Sequence, residues 1–541
     1  MKAIKFFERY SYIFFFVIYF FIGFSIVDDF GISIDEEFQR YSGFYWLCYV
    51  LEFLPFDQFK SEALVKLNSI SGFTLPNPKD YPFYGVFFDL PLAFIETFFN
   101  IKESKNYFIL RHQATFIFFF ISSIFFYKIL KLRIKDKIII FLGVLLYISS
   151  PRIFGDSFFN NKDSIFLSLV TITFYYYLKF IVNLNYKNLV LFSFFSAITC
   201  SLRVLGIFIP VSLFLLLIIK NDLQNKKFLF SIIYLTVFSL VLIFFWPYLW
   251  SNPVINFYEA FTTFSKYENL TIQMLFNGKY IFSNYLPMSY LPIWILITTP
   301  LIFILLFLIG YIYLFRRLFK RLIVIDVATN LNDLWRGKNE EMDFIIFLNF
   351  SLVFFYIIFF SPVLYTGWRH LYFLHVFMTY ACCIALYIIN VKFKNKILIF
   401  IIGLIILNSF YEIKKFHPYQ SLYFNQFLQK EKKNSFEVDY WAIAGVKFFK
   451  EIIKIDNSQK INIASSSYVP LERSLKLLNK SDQSKIYLLG QEYEKADYIF
   501  NNNISEVNKF KNDKYLIPQN FRKINEFKIR GYMIYEIYKK F

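Results

Sequence analysis

Runs of 16 to 24 residues almost free of charge recur along the chain, separated by short segments rich in Lys and Arg. As helices, such runs are long enough to cross a hydrocarbon core of about 30 Å. The pattern predicts spans at 10–27, 108–130, 136–151, 164–183, 228–247, 292–315, 343–360, 371–390 and 397–411. The run 188–219 is too long for one span and is interrupted by Arg203, so it is split there, giving about eleven spans in all. Residues 82–100 are also apolar, but Asp89, Pro91 and Glu96 are costly at mid-bilayer. A span there would also reverse every basic loop that follows, so this stretch is predicted to lie in the interface. Lys128 to Lys137, Lys220 to Lys227, Arg316 to Arg321 and Lys392 to Lys396 then share one side, the cytoplasmic one by the positive-inside rule.

Two polar segments fall on the other side. The first, 28–107, carries twelve acidic and six basic residues. The second, 412–541, carries 23 basic and 15 acidic residues and no run long enough to span. Within it, β-like runs lie at 461–467, 485–489, 496–500 and 531–538, and helical patterns at 441–455 and 471–480. The expectation is an all-α polytopic membrane region, 1–411, with a large first outer loop containing interfacial helices. A small soluble α/β domain, 412–541, follows it.

Composition agrees. The chain is 57% hydrophobic and 18% charged, with mean hydropathy +0.46, which excludes disorder, a coiled coil and an ordinary soluble enzyme. The net charge of +19 is read as loop charge in a membrane protein, not as a nucleic-acid surface. Cys200, Cys382 and Cys383 fall in apolar runs and Cys48 on a loop, so no disulfide framework is expected. Lys2, Lys5 and Arg9 precede the first span without a small-residue cleavage site, which reads as an uncleaved anchor.

The chain has no phosphate-binding glycine loop, no CxxC and no HExxH, and its four histidines form no pair. What remains is charge at the outer boundary. Asp35-Glu36-Glu37 follows the first span, where a carboxylate fixed near lipid can take a proton from a hydroxyl, or can simply be a solvated acidic loop. PRIFGDSFFNNKD (151–163) sets Arg152, Asp156, Lys162 and Asp163 between two spans, with Asp163 also well placed as a helix N-cap. Arg203 within an apolar run calls for a cavity or an anion. Arg369-His370 stand at the mouth of a span, where Arg can clamp a phosphate or anchor beside Trp368. Lys279, in FNGKYIFSNYLP, is a further cation. Together they suit a substrate with an anionic head at the interface and a tail in the bilayer, a polyprenyl-phosphate sugar. A transporter or lipid-linked sugar flippase is the alternative.

The stretch DDFGISIDEEFQRY resembles the first-loop Asp-Glu motif of type C glycosyltransferases, and specifically the bacterial relatives of dolichyl-phosphate-mannose–protein mannosyltransferases, glycosyltransferase family 39. SPRIFGDSFFNNKDSIF, LPMSYLPIWILITTP, SPVLYTGWRHLYF and HPYQSLYFN are similar to further blocks of one bacterial branch, in the same order. The resemblance implies inverting transfer from a polyprenyl-phosphate sugar to a hydroxyl on protein, lipid or glycan, at the periplasmic face of a bacterial inner membrane. It implies Asp35 as catalytic base, Glu36 as its motif partner and Asp163 as the second-loop acidic residue. Donor-phosphate contacts carry over to Lys162, Arg203, Arg369 and His370. Asp156 and Thr366 depart from the family pattern, which has His and an acidic residue there. No cofactor motif is present, and a divalent cation shared by Asp35, Glu36 and Asp163 stays open.

Overall fold

The computed structural model describes residues 2–70, 75–81, 84–220, 226–266, 272–323, 334–394, 396–428, 435–467, 471–502 and 513–541. The side chains of Lys2, Lys5 and Arg9 lie outside the described residues, as do 267–271 of the outer loop expected at 248–290, 324–333 of the cytoplasmic loop expected to about 342, and 429–434 of the expected C-terminal domain.

Among the described residues eight helices are long and apolar enough to cross a membrane: Ser11–Asp29, Ser104–Arg133, Asp163–Val182, Lys227–Phe244, Leu301–Ile323, Gly337–Phe360, Leu374–Lys392 and Lys396–Phe416. The chain is a multi-pass membrane protein. The eleven expected spans differ from these eight in three places. The span expected at 136–151 is a 12-residue helix, Lys137–Ile148, which reaches only about 18 Å. It continues after a 61° bend into Pro151–Phe159, and the pair makes at most a ninth span. The short loop expected at 152–163 is therefore mostly this second, wholly buried helix. The run 188–219 does divide at Arg203, but into two shorter helices, Tyr186–Leu202 and Val204–Ile219. The span expected at 292–315 begins later, because Thr299-Pro300 separates a short helix, Tyr290–Thr298, from Leu301–Ile323.

Residues 84–100 hold no helix long enough to span. They contain a 10-residue helix, Asp89–Phe98, packed on the helix Glu36–Leu51. Its buried Glu96 accepts from Arg40 at 2.5 Å and from Arg111 at 2.9 Å, with Lys66 at 3.8 Å. Three cations on one carboxylate answer the desolvation that made this residue improbable in lipid. Phe94, Phe98 and Phe99 remain exposed, as an interfacial helix requires. Cys48, expected on a loop, is buried within Glu36–Leu51.

The basic ends of several helices meet at one end of the bundle. Asp343 accepts from Arg133 at 3.0 Å, from Arg317 at 2.9 Å and from the Tyr380 hydroxyl at 2.6 Å. Glu341, two residues earlier, pairs with Lys220. The first turns of Gly337–Phe360 thus tie four other helices together.

The C-terminal segment builds a five-stranded sheet from β3 (Ile461–Ser465), β4 (Ile486–Leu488), β5 (Tyr498–Asn501), β6 (Phe521–Ile529) and β7 (Tyr532–Lys540), in the order β4-β3-β5-β7-β6. β3 runs parallel to β4 and β5, while β7 is antiparallel to both β5 and β6. Four strands fall on the expected runs. β6 does not, because it is an edge strand whose charged side chains mask the alternation. A second feature not expected is a small hairpin of β1 (Gln273–Phe276) and β2 (Lys279–Phe282). The helix Gly445–Ile455 lays Phe448 against Phe500 and Tyr535 of the sheet. The sheet segment is also joined to the first loop, where Glu37 pairs with Arg473 and Lys476.

Candidate functional site

Three consecutive carboxylates after the first long helix turn to three different partners. Glu36 accepts from the backbone N–H of Ser33 at 2.7 Å and meets His112 Nε2 at 2.9 Å. Glu37 faces the C-terminal segment. Asp35, partly exposed, meets Arg369, whose Nη1 donates to it at 2.6 Å.

Arg369 is held by a turn that its own residues define. Thr366 and Gly367 both adopt positive φ, 53° and 76°. The Thr366 N–H points at the Met274 sulfur, and the Tyr290 hydroxyl donates to the Gly367 carbonyl at 3.1 Å. Trp368 Nε1 donates to Thr298 Oγ1 at 2.9 Å. The guanidinium of Arg369 lies over the rings of Trp441, 4.5 Å away, and Tyr365, 4.9 Å away. It also stands 3.6 Å from Asp163.

Asp163 is the first residue of its helix and does not cap it. Asn160 takes that role, its side-chain oxygen accepting from the Asp163 N–H at 2.9 Å. The freed Asp163 carboxylate accepts from Arg203 and from Asn160 Nδ2. Arg203 stands in extended backbone between two helices, φ −146° and ψ 126°. A first-loop segment supplies a backbone partner beside the break, the Gly85 N–H donating to Ser201 O at 2.7 Å, and the next N–H, of Val86, donates to Phe245 O at the end of Lys227–Phe244 at 3.0 Å. Asp35, Arg369, Asp163 and Arg203 therefore form one continuous chain of charge, buried at Arg369, Asp163 and Arg203 and partly exposed at Asp35. The Nε groups of both arginines are buried and have no hydrogen-bond partner among the described residues.

A cavity of about 720 Å³ opens from this centre. Arg203, Tyr84, Tyr365 and His370 mark its polar end; the rest is almost all apolar side chain, mostly from Val204–Ile219 and Gly337–Phe360. His370 is pushed well below the usual histidine range by burial and by Arg369 and Arg203, so it enters this end as a neutral ring.

Not every expected residue joins the cluster. Lys162 pairs with Asp89 at 3.4 Å and lies over Tyr84 at 4.3 Å, behind the cavity wall. Arg152 donates to the Tyr423 carbonyl at 2.9 Å and stacks on Phe424 and Trp294. Asp156 is bound to Asn160 at 3.3 Å. Lys279 is exposed on β2, away from the cluster. With Glu36 committed to His112, the carboxylates of Asp35, Glu36 and Asp163 do not converge. Among the described residues no group of three or more His, Cys, Asp or Glu side chains is placed to hold a metal ion.

Glu437 and Trp441 were not expected. They come from the segment after the last long helix, where a Tyr-Trp pair beside two carboxylates was the only local signal. Glu437 lies near Arg369, and burial pushes its carboxyl up to about 8, with Arg369 and the Leu275 backbone opposing.

Residues 90–250 match the family model described as dolichyl-phosphate-mannose-protein mannosyltransferase. The resemblance read from the sequence holds. The matched segment contains Asp163 and Arg203 and stops short of Arg369, while Asp35 precedes it. Among solved structures, the chain is similar to ArnT from Cupriavidus metallidurans in the apo state and to the same protein bound to undecaprenyl phosphate. In each case the identity is 8%, 98% of both chains is covered and the TM-score is 0.49. No curated protein sequence matches the chain.

Proposed function

We propose that the chain is a membrane glycosyltransferase that moves a sugar from a polyprenyl-phosphate carrier to a hydroxyl on a protein, lipid or glycan acceptor. Transfer takes place at the outer face of a bacterial inner membrane and inverts the anomeric carbon. The observation that carries this is the Asp35–Arg369–Asp163–Arg203 chain at the polar end of an apolar cavity. An isoprenoid tail suits the cavity, and its phosphate suits the arginines. The family match over 90–250 supports the same class.

In this reading Arg203 and Arg369 hold the carrier phosphate and stabilise the charge that builds on it as the sugar–phosphate bond breaks. A phosphate bound there draws donors of Arg369 toward itself and leaves Asp35 to the acceptor. The Asp35 carboxylate takes the acceptor proton, the acceptor oxygen bonds to the anomeric carbon from the opposite face, and polyprenyl phosphate departs. Asp163 keeps the two guanidinium groups in register. His370, neutral, offers a hydrogen bond without adding charge.

Transport was the alternative because Arg203 interrupts an apolar run. Arg203 instead pairs with Asp163 at the same centre as Arg369, and no further observation favours transport. The test is to incubate the purified protein with a bacterial polyprenyl-phosphate-sugar lipid extract and crude acceptor, with Asp35→Asn in parallel. Mass spectrometry should find one sugar-charged lipid converted to polyprenyl phosphate by the unaltered chain alone. No conversion in any fraction would overturn the reading.

A further inference from the structure

A second cavity, of about 360 Å³, lies on the other side of the segment that carries Asp35. It forms where the ends of Ser11–Asp29 and Lys396–Phe416 meet the start of Ser104–Arg133 and the helix Gly445–Ile455. The donor cavity shares none of its lining.

Its walls bring lysines and histidines together from elements far apart in sequence. Lys105 and His112 lie two turns apart on one helix. Lys447 and Lys450 come from one face of Gly445–Ile455, and His417 joins them from the turn after the last long helix. Two carboxylates share the wall. Asp29 is engaged by His417, whose Nε2 stands 2.8 Å from it, while Asp28 has no described partner. Lys447 is only loosely answered, 3.6 Å from Glu451 and over the Phe527 ring at 4.2 Å. Lys105 and Lys450 make no ion pair among the described residues. Like charges drawn to one concave surface repel unless an anion answers them, and Lys105 and Lys450 are both exposed there.

We propose that this cavity is a second anion site, separate from the donor cavity, that takes a phosphate-bearing group. A lipid headgroup reaching it from the membrane boundary and a free phosphate from the aqueous side share this chemistry. The site is coupled to the turn of Asp35, because His112 on its wall meets Glu36 at 2.9 Å, and Glu36 adjoins Asp35. An anion held here thus bears on the loop that carries the proposed base.

The test is calorimetric titration of inorganic pyrophosphate into the full chain in phosphatidylcholine nanodiscs. Arg369→Ala serves as the background, so that binding at the donor arginines does not contribute. Saturable binding is expected, and Lys105→Ala with Lys450→Ala should weaken it at least about tenfold, the loss of two charge-assisted contacts. Both lysines are exposed, and a melting curve checks that the double variant folds. Nanodiscs containing phosphatidylglycerol identify the source. Weakened pyrophosphate binding there assigns the site to a lipid headgroup, and unchanged binding assigns it to a free phosphate. Absence of saturable binding, or equal binding by the double variant, overturns the proposal. None of these readouts needs sugar transfer, so failure of the glycosyltransferase reading would be seen separately.

Discussion

Arg369 donates to Asp35 across 334 residues of sequence at 2.6 Å, and the two differ sharply in exposure. The arginine side chain is 4% exposed and the aspartate 36%. The cation is fixed inside, stacked between Trp441 and Tyr365, and the carboxylate reaches outward from it. That polarity suits a base that meets an acceptor arriving from outside and a cation that meets a donor already held within.

Asp35→Asn should therefore lower transfer by about 10² to 10⁴ fold, the usual weight of a positioned base. The amide keeps the shape and can still contact Arg369, so the melting temperature should stay near that of the unaltered chain. Turnover measured on polyprenyl-phosphate sugar, beside a melting curve, checks both halves. Undiminished turnover would remove Asp35 from the reaction.

Arg369→Lys and Arg203→Lys separate charge from geometry. Lysine keeps the positive charge but not the planar fork, which here serves a carboxylate and leaves a buried Nε donor free among the described residues. Each variant should lose about 10² fold or more in kcat, with a smaller change in KM, because the lost donors act mainly on charge that builds as the phosphate leaves. A rise in KM alone would make these arginines binding residues without a share in the chemical step.

Much of this arrangement could be read from the sequence, for identifiable reasons. Long apolar runs fix most spans because lipid leaves the backbone no other partner, and Arg203 marked the break in 188–219 because a cation is conspicuous there. Asp35, Asp163, Arg203 and Arg369 were all named, each as an ionisable residue at the same boundary. What stayed hidden was pairing. Nothing local tells that Glu36 turns to His112 or Lys162 to Asp89, nor that Asn160 rather than Asp163 caps its helix. Glu437 and Trp441 were missed because their segment is ordinary in composition. It matters only because it returns to pack beside Arg369. The strand β6 was missed because an exposed edge carries charge where a buried strand would alternate.

Glu96 offers a test of structure without chemistry, since it touches only Arg40, Arg111 and Lys66. Glu96→Ala leaves three cations around a cavity without a counter-charge and should destabilise the first loop by about 3–5 kcal/mol. Limited proteolysis between residues 50 and 105, with a melting curve, reads the effect. Glu96→Gln, which keeps two hydrogen-bonding atoms, should fall between. A neutral result for Glu96→Ala would mean that these cations are already satisfied elsewhere.

Glu437 and Asp439 give the fold a pH dependence. Burial pushes Glu437 up to about 8 and Asp439 up to about 7, against the hydrogen bonds that the N–H groups of Ile443 and Ala444 donate to Asp439. Both carboxyls hold protons in the folded chain that the unfolded chain releases near pH 4 to 4.5. Their contribution is thus complete below that range and is lost as pH rises toward 7 and 8. The melting temperature should fall between pH 5 and pH 8, and Glu437→Gln should flatten the fall. A melting temperature that rises over this interval in the unaltered chain, and equally in the variant, would contradict the assignment.

Sidedness can be decided by truncation fusions. Arg133 and Arg317 meet at Asp343, at one end of the bundle, whereas Asp35, Arg203 and Arg369 gather at another centre. Short basic loops stay cytoplasmic, so reporters fused after residues 133 and 318 should read cytoplasmic, and one fused after residue 541 should read outside. The decisive position is 133. For it to read outside, residues 82–100 would have to cross the membrane, yet the helix there is only ten residues, Asp89–Phe98. That reaches about 15 Å, half the hydrocarbon core, and its Glu96 would be dragged into lipid with three cations attached. A cytoplasmic reading at 133 places Asp35 and the donor cavity's polar end at the outer face, where a lipid carrier is the form in which an activated sugar can arrive.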